Sequence, residues 1–180
     1  MMLKKRDLHD CHSLYTLMMD PAVFPYVRNK CQCYEEYLFS TKQLITEEEQ
    51  NTCMSRTILN EMGQPIGTID LYDIVNQTGF LATWIGAPYF GSGYNQRAKD
   101  SFFTEVFLEH HIETVFLKIR KQNIRSKRAI EKLPYAQLVN DINIQVYKLI
   151  NEAQHIYDLY QVERLSFLKY SNLMQHEVAT

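Results

Sequence analysis

The sequence predicts a single α/β domain of the α+β kind: a mixed, mostly antiparallel sheet flanked by helices, with an extra helix at the C-terminus. Three observations predict it. The hydrophobic period changes from about 3.6 to 2 near Thr52, and three strand-like runs follow in succession. Residues 84–98, Trp-Ile-Gly-Ala-Pro-Tyr-Phe-Gly-Ser-Gly-Tyr-Asn-Gln-Arg-Ala, then end a strand, turn over two glycines and open a helix. A further strand and helix follow over residues 114–133. At 180 residues the chain suits one domain with a full core rather than two.

Taken in order, residues 3–8 suit a short edge strand, and Asp10 suits the N-cap of a helix reaching about residue 19. Asp20-Pro21 stops that helix, and residues 21–29, with Pro25, form a connector with room for one helical turn. Residues 34–49 place Tyr37, Leu38, Leu44 and Ile45 at helical spacing, and Glu47-Glu48-Glu49 reads as a solvated face. Strands over 52–60, 66–75 and 80–85, joined by Met62-Gly63-Gln64-Pro65 and Asn76-Gln77-Thr78-Gly79, make an antiparallel meander. Residues 94–109 form a helix with Ala98, Phe102, Phe103, Val106 and Phe107 on its apolar face. His110-His111 follow as its C-terminal cap region.

Residues 114–119 read as a buried strand, and Asn123 caps a helix over 124–133 that Pro134 stops. Residues 135–139 and 142–149 suggest a final hairpin across Asn140-Asp141. The division is therefore a main domain over 1–150 and a C-terminal helical extension of the same domain over 151–180. Ile156, Leu159, Tyr160, Leu165, Leu168 and Leu173 give that extension its amphipathic character. It either packs on the domain or meets another chain, which leaves a homodimer through this helix open.

A net charge of -2 gives no reason to expect nucleic acid or a membrane surface as partner. The basic residues that do cluster, between Lys118 and Lys132, form one local patch without interleaved stacking aromatics. No apolar run approaches the roughly 18 residues of a spanning helix, and no signal-peptide core follows Met1, so a cytoplasmic location is expected. Cys11, Cys31, Cys33 and Cys53 are then expected as reduced thiols. Cys31-x-Cys33 lacks a second ligand pair, and no metal is expected.

Gly91 and Gly93 present no Cβ to an approaching anion, and the N–H groups of Ser92, Gly93, Tyr94 and Asn95 point from the positive end of a helix. A diphosphate suits such a cradle. With this stretch in hand, Trp84-Ile85-Gly86 through Gly91-Ser92-Gly93-Tyr94 resembles the strand-to-loop signature of the GNAT-superfamily acyltransferases, in the branch of RimJ and RimL. Asn123-Ile124-Arg125-Ser126 with Glu131-Lys132-Leu133 resembles that branch's Asn-x-x-Ser helix, and residues 22–27 resemble its connector after the first helix. The resemblance covers residues 3–150.

The resemblance implies a sheet splayed near Ile85 and acetyl coenzyme A as cosubstrate, without a metal. Its cofactor-binding positions are Ile85, Gly86, Ala87, Gly91, Ser92, Gly93, Tyr94, Asn95, Asn123 and Ser126. Gly86 and Ala87 would permit close approach to the pantetheine. Phe90, Asn95, Arg97 and Pro134 depart from the family pattern, and Ile130 stands where many relatives carry a proton-donating tyrosine. Ser126 is accordingly the candidate catalytic proton donor. The base is not readable, since Glu61, Asp70, Tyr72 and Asp73 all lie in the meander. The implied reaction is direct attack of a primary amine on the thioester. The acceptor is a protein N-terminus or an amine-bearing small molecule, with a polyamine and an aminoglycoside-like antibiotic among the candidates. A catalytically weak coenzyme A sensor or interaction module is the alternative.

Overall fold

The computed structural model describes residues 2–178, with side chains described over 3–171. Seven strands form one sheet in the order β1-β2-β3-β4-β5-β7-β6. The strands are β1 (Met2–Lys5), β2 (Met54–Leu59), β3 (Pro65–Val75), β4 (Thr78–Ile85), β5 (Thr114–Arg120), β6 (Ala136–Leu138) and β7 (Tyr157–Glu163). The helices are α1 (Cys11–Met18), α2 (Tyr34–Glu49), α3 (Tyr94–Leu108), α4 (Ile124–Glu131), α5 (Ile144–Ile150) and α6 (Arg164–Val178). Every strand pair is antiparallel except β4 with β5.

The parallel pair is what positions the site. Its register runs only from Thr78–Phe80 against Thr114–Phe116. Beyond Phe80 the two strands part, so β4 from Leu81 to Ile85 leaves its β5-facing edge without a β5 register partner. A helix or a ligand has to meet those groups.

Side-chain alternation distributes the core over both faces. Leu81 and Ile85 join α3, through Ala98, Phe102, Phe103, Val106 and Phe107, in the main cluster. Trp84, of opposite parity, packs with Leu14 and Met18 of α1 and Tyr37 of α2. On β5, Val115 and Leu117 face the main cluster, while Phe116 packs with Leu159 and with Val146, Tyr147 and Ile150.

Buried Arg56 ties the layers together. Its Nε donates to Glu105 of α3 at 2.9 Å and its Nη1 to Glu48 of α2 at 2.8 Å. Glu48 also accepts from the Ser55 N–H at 3.0 Å, so the acidic end of α2 is not simply a solvated face. Removing one partner of a buried pair leaves the other charge uncompensated. Arg56→Leu should therefore cost about 3 kcal/mol or more in urea unfolding. A change below 1 kcal/mol would deny the network that role.

Two expected elements are corrected at the C-terminal end. The expected hairpin over 135–149 is instead the short strand β6 followed by helix α5. Ile142-x-Ile144-x-Val146 alternates like a strand, but Val146, Tyr147 and Ile150 meet the core at helical spacing. The partner of β6 comes from residues expected to be helical: β7 inserts between β5 and β6, with Asp158, Leu159, Tyr160 and Val162 buried. The helix of the extension is confined to α6, which packs inward through Phe167 against Phe103, Phe107 and Tyr135. Leu173 lies outside the residues whose side chains are described.

At the other end, Asp10 makes no side-chain cap bond to α1. It pairs with Lys4 at 2.9 Å, while Asp7 caps the preceding turn by accepting from the His9 N–H at 2.8 Å.

Candidate active site

Two cavities meet where β4 and β5 part. One, of about 660 Å³, runs from the glycine loop along β4 to the start of α4. The other, of about 450 Å³, lies under the connector between α1 and α2. Tyr26, Thr83, Trp84, Asn95, Lys99, Asn123 and Ser126 line both.

The first cavity holds most of the residues expected to bind the cofactor. Ile85, Gly91, Gly93, Tyr94, Asn95, Asn123 and Ser126 all line it. Gly91 (φ 75°) and Gly93 (φ 77°) adopt the left-handed conformation, and Gly93 is the residue before α3. Among the described residues, the N–H groups of Ser92, Gly93, Tyr94 and Asn95 donate to no protein acceptor. They are orphan donors at the positive end of a fifteen-residue helix, the arrangement an anion needs.

Gly86, Ala87 and Ser92 do not line the cavity, although the Ser92 N–H remains among the loop's free donors. The Gly86 N–H donates to Ile66 O at 2.8 Å, and a Cβ there would come within 2.9 Å of Leu17. The packing of Leu17 from α1 by itself gives Gly86 a reason to be small. Ala87 packs with the α1 cluster. Ser92 contributes its carbonyl, which accepts from Arg97 at 3.4 Å.

The departures from the family pattern acquire reasons. Phe90 carries the Arg125 guanidinium over its ring at 4.0 Å, with Tyr26 at 5.6 Å, so Arg125 spans the groove between loop and connector. Arg97 pairs with Glu61 at 3.1 Å and lies over Tyr94, whose hydroxyl donates to the same carboxylate. Ile130 is buried in the core. Asn95 Oδ1 is buried without a hydrogen-bond partner, as is Thr83 Oγ1. Such orphans fit a ligand that brings its own amide and hydroxyl groups.

Asn123 caps α4, its Oδ1 accepting from the Ser126 N–H at 3.2 Å. That bond accounts for Asn123 by local structure, but its donor is a backbone N–H and makes no demand for serine at 126. The Ser126 hydroxyl makes no hydrogen bond among the described residues and is free at the junction.

Sequence reasoning missed Lys99. It is buried, lines both cavities and, among the described residues, has no carboxylate at salt-bridge distance. Burial pulls its ammonium down to about 8, against a small opposing pull from Asp100. The signal was present, since Lys99 stands three residues before Phe102 and four before Phe103, inside the apolar stripe of α3.

The meander carboxylates also separate. Glu61 and Asp73 are exposed and line neither cavity. Asp70 lines the second cavity, accepting from Ser55 Oγ and, at 3.5 Å, from Thr68 Oγ1. Burial pushes its carboxyl up, opposed by Arg6, the Ser55 bond and Arg28. Tyr72 lines the same cavity, but burial pushes its phenol up to about 12.

The basic cluster, expected as one patch, is divided by the fold. Arg125, Arg128 and Lys132 line the first cavity, Lys118 and Arg120 line the second, and Lys127 pairs with Asp158 at 2.7 Å. All four cysteines are unpaired. Among the described residues no helix is long and apolar enough to cross a membrane.

The open parallel pair, the donor loop before α3 and the capped helix facing it define the acetyltransferase class of fold. The GNAT acetyltransferase domain model matches residues 1–135, and the chain belongs to the GNAT acetyltransferases, enzymes that draw on acetyl coenzyme A. No curated protein sequence matches the chain.

Solved structures share the fold at low identity. FdhC, described as a nucleotide-linked sugar GNAT, superposes with a TM-score of 0.75 at 16% identity, over 97% of this chain and 92% of that one. A spermidine N-acetyltransferase, SpeG from Vibrio cholerae, gives 0.71 at 12%, over 95% and 99%. RimL, a ribosomal-protein α-N-acetyltransferase, gives 0.71 at 14%, over 89% and 87%.

Proposed function

We propose that the protein transfers the acetyl group of acetyl coenzyme A to the nitrogen of a primary amine by direct attack. The observation that carries this is the meeting of the two cavities at one set of side chains, Tyr26, Thr83, Trp84, Asn95, Lys99, Asn123 and Ser126. The amides of Ser92, Gly93, Tyr94 and Asn95 hold the pyrophosphate, Arg125, Arg128 and Lys132 supply cations for the remaining phosphate, and the free edge of β4 receives the pantetheine. Bound there, the cosubstrate supplies an activated acyl carbon and a thiolate leaving group.

The chain's own groups move the protons. Asp70, in the second cavity, takes one from the acceptor ammonium. The amine nitrogen forms a bond to the acyl carbon as the carbon–sulfur bond breaks, the sulfur leaves as thiolate, and the nitrogen gives up its second proton to water to leave the neutral amide. Ser126 donates a hydrogen bond to that sulfur, and Lys99 delivers the proton. A thiol has a pKa near 8.5, so an ammonium at about 8 is closely matched to it. This assignment explains how Ile130 can replace a tyrosine donor. A cytoplasmic location goes with the reading, since four unpaired thiols suit a reducing compartment.

Isothermal titration with acetyl coenzyme A, followed by thiol release across a panel of amines, tests the proposal. Absence of binding would sink it. Binding without turnover on any amine would instead favour a coenzyme A sensor.

The loop assignment has its own check. Gly93→Val puts a branched side chain over the donor amides at φ 77°, and should weaken coenzyme A at least about tenfold. Gly63 has φ 76° in the β2–β3 turn and open space around it, so Gly63→Val carries the same strain away from the site. Equal affinity in both variants would place the pyrophosphate elsewhere.

A further inference from the structure

The cavity under the connector carries an unusual charge. Arg6, Arg28, Lys30, Lys99, Lys118 and Arg120 line it against a single carboxylate, Asp70. Among the described residues none of the six cations lies at salt-bridge distance from a carboxylate.

Several are held by neutral partners that fix them without neutralising them. The Arg28 guanidinium lies 3.6 Å above the Tyr72 ring. Lys118 Nζ sits between the rings of Phe80 and Tyr157, at 5.9 and 5.7 Å. Arg6 is buried, donates from Nη2 to Tyr37 and Thr41 at 3.2 and 3.3 Å, and leaves its buried Nε without a partner. Arg6 and Lys99 are buried, so the cost of an unpaired charge falls on them unless a ligand supplies the anion, while Arg28, Lys30, Lys118 and Arg120 are exposed and add attraction for it.

We propose that the acceptor is a small amine that also carries a phosphate, its ammonium facing Asp70 and its phosphate facing Arg28, Lys118 and the cations beside them. The inference rests on the acetyl-transfer reading of the site. The first cavity has its own cations for coenzyme A, since Arg125, Arg128 and Lys132 do not line the second. The basic set under the connector is therefore left for the acceptor.

The choice of phosphate follows from the charge count. A mono-anionic carboxylate would offset one positive charge, whereas a phosphate near two negative charges offsets more and accepts from several guanidinium and ammonium donors at once. A volume of about 450 Å³ suits a molecule of amino-sugar phosphate size. A polyamine would bring further positive charge to a cavity already rich in it.

The test uses the full chain and matched probes. Glucosamine 6-phosphate is compared with glucosamine, lysine with cadaverine, and an acidic peptide with a free N-terminus serves as the macromolecular arm. Turnover is read as kcat/KM, and binding as quenching of the sole tryptophan, Trp84, which lines the cavity. The phosphate sugar should exceed the neutral one at least about tenfold in either readout, the worth of one charge-assisted contact. Arg28→Ala should reduce that preference about tenfold while acetyl coenzyme A affinity stays unchanged.

Equal use of the two sugars, a preference for cadaverine, or better turnover of the acidic peptide would overturn the proposal. Failure to bind acetyl coenzyme A would count against acetyl transfer itself. The Trp84 titration would still decide whether the cavity selects the phosphate.

Discussion

Lys99→Met should make the protein more stable and slower at once. The ordinary ammonium pKa is 10.5 and burial lowers it to about 8 in the folded chain. Below pH 8 both folded and unfolded chains hold the proton, and the fold carries the full cost of a desolvated charge. Between pH 8 and 10.5 the unfolded chain binds more protons, so stability rises with pH. Above 10.5 the side chain is neutral in both states and that cost is gone.

The cost at pH 7 is on the order of 3 kcal/mol for a shift of this size. Methionine fills a similar volume without the charge, and urea unfolding should show a gain at pH 7 that shrinks as pH passes from 8 to 10.5. Turnover should move the other way. If Lys99 protonates the departing thiolate, kcat falls by about 10²-fold or more, and the fall of kcat above pH 8 disappears from the variant. A merely structural lysine would change neither the pH limb nor the direction of the stability effect. Unchanged kcat would remove Lys99 from the mechanism, and a destabilised variant would deny that its buried charge costs stability.

How far such a site could be read from the sequence differs between its parts. The glycine loop was legible because Gly91, Gly93 and the start of α3 are contiguous, and local backbone chemistry fixes them. The meander was legible for the same reason: each strand of it meets the next across a short turn. β7 was not, because its partners β5 and β6 are distant in sequence and Leu159-Tyr160 fits a helix as well as a strand. The Asn123–Ser126 spacing was read as a ligand motif, and the structure adds that it is also a helix cap.

Lys99 and Asp70 show a subtler failure. Each could have been singled out by periodicity, Lys99 for lying in an apolar stripe and Asp70 for sharing its parity with Thr68 and Tyr72, opposite to Ile69 and Leu71. No local pattern says that these two faces converge on one opening. That depends on the parting of β4 from β5, a property of the assembled sheet.

Asp70→Asn should abolish most acetyl transfer while leaving acetyl coenzyme A binding intact. The size of the effect depends on the amine. An α-amino group with pKa near 7.7–8.0 needs about 1 to 1.4 kcal/mol to shed its proton at pH 7, whereas a lysine-like amine near 10.4 needs about 4.6. Loss of a positioned base should then cost roughly 10²- to 10⁴-fold in kcat, with the larger losses on high-pKa amines.

The pH profile supplies a second readout. Burial raises the Asp70 carboxyl above its ordinary 3.8, with Arg6 and Arg28 opposing. The basic carboxylate is therefore lost at higher pH than an exposed aspartate would lose it, and wild-type kcat should fall on the acid side through that raised value. Asn has no such titration, so its residual rate should lack the limb, and Asp70→Glu should restore part of both rate and limb. Isothermal titration of the Asn variant with acetyl coenzyme A checks that the groove is unchanged. A variant that keeps wild-type turnover on a high-pKa amine would pass the proton transfer to water or to another group in the cavity.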